Sequence, residues 1–186
     1  MNKNLLILSG PSGVGKGTVC QRLRQALPDL IQPVSLTTRM QRPGEIHGEH
    51  YWFVKPCEFE AKREAGELLE WVEYNGCFYA TETAQVRRAL EAGHTLLLEI
   101  DTHGALTLKA QFPEEAYLMF LTPPSLAILR QRLETRGSNS PEDIERRLQH
   151  AHWELTQQGH FDLSLENQHL ETTVAHLHAQ IQLLMS

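Results

Sequence analysis

The segment Leu5–Ser9 followed by Gly10-Pro11-Ser12-Gly13-Val14-Gly15-Lys16-Gly17-Thr18 constrains this chain more than any other. Four successive apolar residues, ended by Gly-Pro, read as a short buried strand, and the stretch from Lys16 to about Ala26 reads as a helix. Between them, glycines let the backbone curl so that successive N–H groups point inward, where the helix N-terminus adds positive potential. A loop of this kind cradles phosphate, and Lys16 can reach the β- and γ-phosphates of a nucleoside triphosphate. The plain alternative, a glycine-rich turn before a helix, is disfavoured by the strand before it and the helix after it. The hydroxyl usual directly after the lysine is missing: Gly17 stands there, followed by Thr18. That leaves Thr18 for phosphate contact and leaves Mg²⁺ to the nucleotide and water.

Beyond the loop, the apolar pattern alternates between strand and helix. Leu30–Leu36 reads as a second strand, Glu82–Ala92 as a helix and Thr95–Ile100 as an apolar strand. Asp101-Thr102 can cap a helix running to about Ala110. Ala116–Leu121 is another apolar strand, stopped by Pro123-Pro124. Such alternation predicts a parallel α/β sheet. Residues 37–79 differ: glycines separate short aromatic runs (Tyr51-Trp52-Phe53, Trp71, Tyr74, Phe78-Tyr79), which suggests a small β-rich insertion with one helix over Pro56–Glu64. Ser125–Arg136 and Pro141–Gln158 read as two polar helices with no strand between, the second capped by Ser140 with Asp143 reaching back. In the last helix Leu170, Val174, Leu177, Ile181 and Leu184 recur at spacings of three and four, a core-facing stripe.

Composition narrows the function classes. With 186 residues the chain suits one domain carrying small inserted subdomains. Its 23 acidic against 17 basic residues, a net charge of −6, argue against a general nucleic-acid binder while leaving room for a local basic pocket. The Leu5–Leu8 run is far too short to span a membrane and is not followed by a signal-peptide cleavage pattern. Cys20, Cys57 and Cys77 lack metal-ligand or CxxC spacing and are expected as free thiols in a reducing cytoplasm. Of the ten histidines, His176 and His178 lie closest, but two positions apart on a helix they face different ways, so no metal site is expected.

A second polar constellation follows the loop: Ser35-Leu36-Thr37-Thr38-Arg39, then Arg42-Pro43-Gly44-Glu45, Gly48 and Tyr51. Two arginines three residues apart in a loop can clamp one phosphate, since each guanidinium offers a planar fork of donors. Taken alone, the pair would more often be solvated surface charge.

Together with the glycine-rich loop, these residues resemble the guanylate kinase family. The resemblance runs on through Gly66-Glu67-Leu68-Leu69-Glu70-Trp71, Tyr79-Ala80-Thr81 and Leu98-Glu99-Ile100-Asp101. It continues in Pro123-Pro124-Ser125, Arg132, Arg136-Gly137 and Arg147-Leu148, and so covers residues 5–148 in family order. It implies an α/β fold: a three-layer P-loop core with a parallel sheet flanked by helices, a small mixed-β GMP-binding insertion and a helical lid. The single domain would divide into a core (1–33, 83–124 and 159–186), a GMP-binding subdomain (34–82) and a lid (125–158). ATP would sit on Gly10–Thr18, that is Gly10, Pro11, Ser12, Gly13, Val14, Gly15, Lys16, Gly17 and Thr18. Arg39, Arg42, Tyr51 and Tyr79 would hold the phosphate of GMP, and Ser35, Glu70, Thr81 and Asp101 would surround its guanine. An ionised Glu70 could accept from both N1–H and the exocyclic amine of guanine, whereas adenine would turn a lone pair toward it. Lys16, Arg132, Arg136 and Arg147 would carry the catalysis, with Mg²⁺ bound to the nucleotide.

The reaction implied is ATP + GMP = ADP + GDP, in a cytoplasmic enzyme with no nucleic-acid or membrane partner. Two other readings stand beside it. A non-catalytic interaction domain of the same family would be expected to lack the phosphate loop. A same-fold kinase acting on another small phosphate, such as a ribose bisphosphate, would have no use for Glu70, Thr81 and Asp101. The tail matches least: Ser164 and Glu166 are unexpected in a fully buried strand, just where the resemblance would put the adenine contact, near Asn167.

Overall fold

All five residues of strand β1 (Leu5–Ser9) are buried in the computed structural model, which describes residues 3–74, 76–135 and 140–185. Leu6 and Leu8 enter one hydrophobic cluster and Leu5 and Ile7 another, as the two-residue period of an extended chain demands. A strand apolar at every position needs cover on both faces, which is the setting of a central parallel strand.

From β1 the chain runs through α1 (Lys16–Ala26) and β2 (Leu30–Ile31) to β3 (Leu36–Thr37), β4 (Trp52–Phe53) and α2 (Pro56–Glu64). A hairpin of β5 (Leu68–Tyr74) and β6 (Cys77–Glu82) follows, then α3 (Thr83–Glu91), β7 (Thr95–Glu99), α4 (Thr102–Gln111) and β8 (Ala116–Thr122). The chain ends with α5 (Leu126–Thr135), α6 (Pro141–Thr156), β9 (Leu163–Glu166) and α7 (Leu170–Met185).

The described residues form two sheets. One is parallel throughout, in the order β2-β7-β1-β8-β9. Val19 and Leu23 of α1 pack with Leu177 and Ile181 of α7 on one of its faces. Val86 of α3 and Ala105 and Leu108 of α4 pack on the other. The second sheet is mixed, in the order β4-β3-β6-β5, with β3 parallel to β4 and antiparallel to β6. Phe59 of α2, fully buried, stacks on Phe78 with ring centroids 5.1 Å apart and so pins that helix to this sheet.

The single strand expected over Leu30–Leu36 is two. Leu30 and Ile31 pair with β7 in the first sheet, while Leu36 and Thr37 belong to the second. Pro33 lies between, and a residue without an N–H cannot continue a paired strand. Strand β9 lies at the edge of the parallel sheet. Leu163 and Leu165 pack inward while Ser164 and Glu166 are exposed, so its polar residues mark a strand with one wet face. Among the described residues no helix is long and apolar enough to cross a membrane.

Candidate active site

The C-terminal ends of β1, β7, β8 and β9 lie side by side, the edge at which open parallel sheets bind ligands. The glycine-rich loop leaves β1 there under tight steric constraint. Gly10 has φ +136°, and a Cβ on it would lie 2.3 Å from the carbonyl oxygen of Leu121 on β8. Only glycine fits so close a backbone approach. Gly15 caps α1 and carries no side-chain oxygen, and the first turn of α1 has no acidic residue, so its N–H groups face the loop without an internal anion.

Three cationic side chains meet this loop. Lys16 Nζ donates to the carbonyl oxygen of Gly10 at 2.6 Å and to that of Pro11 at 3.4 Å, which puts the ammonium at the mouth of the loop. Arg132 of α5 forks, donating to the carbonyls of Val14 (3.1 Å) and Asn167 (2.8 Å). From α6, Arg147 Nη1 approaches Ser12 Oγ at 3.5 Å, and burial pulls its pKa down from the ordinary arginine value. Arg136 lies outside the described residues. The buried Asn167 amide donates to Val14 O at 2.8 Å, so one carbonyl of the loop is held by both Asn167 and Arg132.

The arginine-rich segment is aimed by its threonines. Thr37 Oγ1 donates to the carbonyl of Phe78 and accepts from the amide of Arg39, and Thr38 Oγ1 accepts from the amide of Phe78. These bonds lock the end of β3 onto β6 and direct Arg39 over the rings of Tyr51 and Phe53, 5.5 and 5.7 Å from their centroids. Tyr51 and Tyr79 meet edge to face at 5.9 Å. Arg39 also pairs with Glu45 at 2.7 Å, and its guanidinium holds the Glu45 carboxyl below the usual range. The other oxygen of Glu45 accepts from the backbone N–H of Arg42 at 2.8 Å, while the Arg42 residue itself is exposed. The structure thus brings Arg39, Tyr51 and Tyr79 together and leaves Arg42 at the rim.

A separate hollow holds the carboxylates. Thr81 Oγ1 donates to Glu70 Oε1 at 2.7 Å. Asp101 caps α4, its Oδ1 accepting from Gly104 N at 2.7 Å. A Cβ on Gly104 would lie 3.4 Å from Asp101 Oδ1 and 3.6 Å from Glu70 Oε2, so both acids reach the same point beside Gly104. Burial, reinforced by the Asp101 charge and opposed by the Thr81 bond, pushes the Glu70 carboxyl up to about 7. Glu70 therefore changes charge near neutral pH, and the ionised form expected from the sequence prevails above about 7. Ser35 is half-buried, and its carbonyl accepts from Trp52 N at 2.8 Å beside the pairing of β3 with β4.

Sequence reasoning assigned no role to Glu99, although it stands inside the Leu98-Glu99-Ile100-Asp101 stretch. Its oxygens lie 3.5 and 3.6 Å from where a Cβ on Gly17 would be. After burial, its charge is the largest influence raising the Tyr51 pKa. Glu99 therefore lies beside the glycine-rich loop and within electrostatic reach of Tyr51. The available signal was a charged residue closing a strand otherwise apolar. Glu45, quoted in the arginine-rich segment, was given no role, and Asn167 was expected only near an adenine contact, because their partners lie across a turn or across the fold. Among the described residues no group of three or more His, Cys, Asp or Glu side chains is placed to hold a metal ion alone.

Comparison with known proteins gives a consistent result. The family profile described as Guanylate kinase matches residues 2–183. A guanylate kinase of Thermobifida fusca is 48% identical over 165 residues, 89% of this chain and 84% of that protein. One of Desulfitobacterium hafniense is 44% identical over 170 residues, 91% of this chain and 84% of its own length. The crystal structure of guanylate kinase from Anaplasma phagocytophilum superposes with a TM-score of 0.77 at 30% identity, covering 96% of this chain and 84% of that one. A shikimate kinase structure from Bacteroides thetaiotaomicron, at 13% identity and a TM-score of 0.52, shares the fold alone.

Proposed function

The chain belongs to the guanylate kinase family, and on that premise we propose that it transfers the γ-phosphoryl group of ATP to GMP, giving ADP and GDP. The observation that carries the substrate assignment is the half-buried Glu70, paired with Thr81 and facing Asp101, in a chain that also carries the phosphate loop. Guanine turns two donors, N1–H and the exocyclic amine, toward one edge. Ionised Glu70 accepts both, and Asp101, Thr81 and Ser35 line the rest of the base. A base with an acceptor at N1 leaves that carboxylate unpaired, a costly mismatch in a dry pocket.

Residues 34–82 form the GMP-binding subdomain and 125–158 the lid. Arg39, Arg42, Tyr51 and Tyr79 bind the acceptor phosphate, which displaces Glu45 as the partner of Arg39. ATP lies on Gly10–Thr18, with its β- and γ-phosphates against the loop amides. Lys16 exchanges the carbonyls of Gly10 and Pro11 for phosphate oxygens. Arg132, Arg136 and Arg147 neutralise charge on the group in transit. The attacking atom is already an anionic phosphate oxygen, so positioning and charge neutralisation suffice and no dedicated base is required. Mg²⁺, a hard cation, suits the Glu99 carboxylate beside Gly17; Glu99, water and the nucleotide would hold it, and when bound it would neutralise phosphate charge. The ligation expected from Gly17, mainly by nucleotide and water, would gain one carboxylate.

A coupled assay of ADP release across GMP, AMP, UMP and CMP tests the reading, with Lys16→Ala as a control. GMP should be turned over at least about a hundredfold faster than AMP, the discrimination a polar pocket supplies. Lys16→Ala should lose about two orders of magnitude in kcat. Equal rates with AMP and GMP would remove the basis for guanine recognition. A non-catalytic domain predicts no ADP release at all.

A further inference from the structure

Glu154 lies near the end of α6, 3% exposed, and takes no part in the steps described above. Its Oε1 accepts from Thr102 Oγ1 at 3.0 Å, and Thr102 is itself fully buried. Its Oε2 finds no hydrogen-bond partner among the described residues. A buried carboxyl group with an unmatched oxygen costs free energy that a leucine at this position would not. Burial raises its pKa, opposed by Lys16, His150 and the Thr102 bond and reinforced by Asp101, so it senses both the phosphate loop and the carboxylate hollow.

The location of this bond in the fold suggests its use. The apolar residues Ile144 and Ala151 tie α6 to Leu129 and Leu133 of α5. Glu154 instead ties α6 to the first residue of α4, next to Asp101. Arg147 lies seven residues earlier, two helical turns or about 10 Å along the same face. Fixing one end of that face against the core sets the position of the other. We infer that Glu154 is a positioning residue for phosphoryl transfer: through Thr102 it holds the end of α6 on the start of α4 and so keeps Arg147 beside Ser12 of the phosphate loop. This inference rests on the proposed role of Arg147.

The test compares kcat, KM for ATP and for GMP, and melting midpoint in the full chain for Glu154→Ala, Glu154→Gln, Arg147→Ala and the double variant Glu154→Ala/Arg147→Ala. Glu154→Ala should lower kcat about tenfold, in line with a small misplacement of a catalytic group, and leave KM for GMP within about twofold. Glu154→Gln should recover most of the loss, because its amide oxygen still accepts from Thr102. The double variant should be no slower than Arg147→Ala alone. Losses that multiply in the double variant overturn the inference, as does a Glu154→Gln variant that melts like the unaltered protein yet turns over as slowly as Glu154→Ala. If Glu154→Ala does not fold, Thr102→Val removes the donor alone and enters the same cycle with Arg147→Ala. Full turnover by Arg147→Ala would sink the assigned role of Arg147 and this inference with it. A slow Arg147→Ala with multiplying losses sinks the inference only.

Discussion

Because burial pushes the Glu70 carboxyl up to about 7, its charge state changes within the range in which enzymes are assayed. Binding guanine through two accepted hydrogen bonds needs the ionised form, so acid should oppose it. Between pH 8 and pH 6 the ionised fraction falls about tenfold, and KM for GMP should rise by up to that factor, with a flat profile in Glu70→Gln. The same group makes a linked prediction about stability. Its folded pKa stands above the usual 4.5, so the folded state binds this proton more tightly than the unfolded chain does. Stability from this group is present at low pH and is lost as pH rises through about 7. Glu70→Gln should therefore melt higher than the unaltered protein at pH 8, by an amount equivalent to about 3 kcal/mol at most, with the gain shrinking as pH falls from about 7 and vanishing only below the usual 4.5. Thermal melts of both proteins across that range check the sign. A loss of stability at pH 8 would mean that the carboxylate is not held in a dry pocket.

At the scale of elements, β9 shows where a polar residue belongs in a strand. Leu165 packs against the cluster of α1 and α7, whereas Ser164 and Glu166 face outward from the sheet edge. Leu165→Ala should cost about 2–4 kcal/mol in denaturant unfolding, while Ser164→Ala should change stability by less than about 0.5 kcal/mol. Equal costs would contradict the one-sided burial of the strand. Elements whose residues repeat with a clear period are legible in the amino-acid order: the apolar β1, the stripe of α7 and α2 over Pro56–Glu64 all stand where their patterns put them. The capping box of Ser140 and Asp143 is formed as its spacing requires. The break at Pro33 is not legible in the same way. Gln32 and Pro33 interrupt the apolar run across Leu30–Leu36, but only the partners available on either side assign the two halves to different sheets.

At the scale of the whole molecule, a net charge of −6 coexists with a cleft where Lys16, Arg132 and Arg147 meet one loop. Residues 148–186 hold no Lys or Arg, so the basic residues are concentrated elsewhere in the chain. Raising ionic strength from about 50 to about 500 mM should raise KM for ATP several-fold, because the attraction is local and screened only in part. A salt-independent KM would argue that these cations face each other's backbone partners and not the nucleotide.

The glycine-rich loop between β1 and α1 and the parallel core follow from sequence because their signals are local: spacing along the chain dictates which groups share a turn or a face. Family resemblance named the remaining positions. Packing in three dimensions supplied what neither could. It set Glu99 opposite Gly17, turned Asn167 and Arg132 onto the carbonyl of Val14, and desolvated Glu70 enough to move its pKa. Desolvation and cross-element hydrogen bonds depend on what packs against a residue from distant parts of the chain. No periodicity within one segment encodes that.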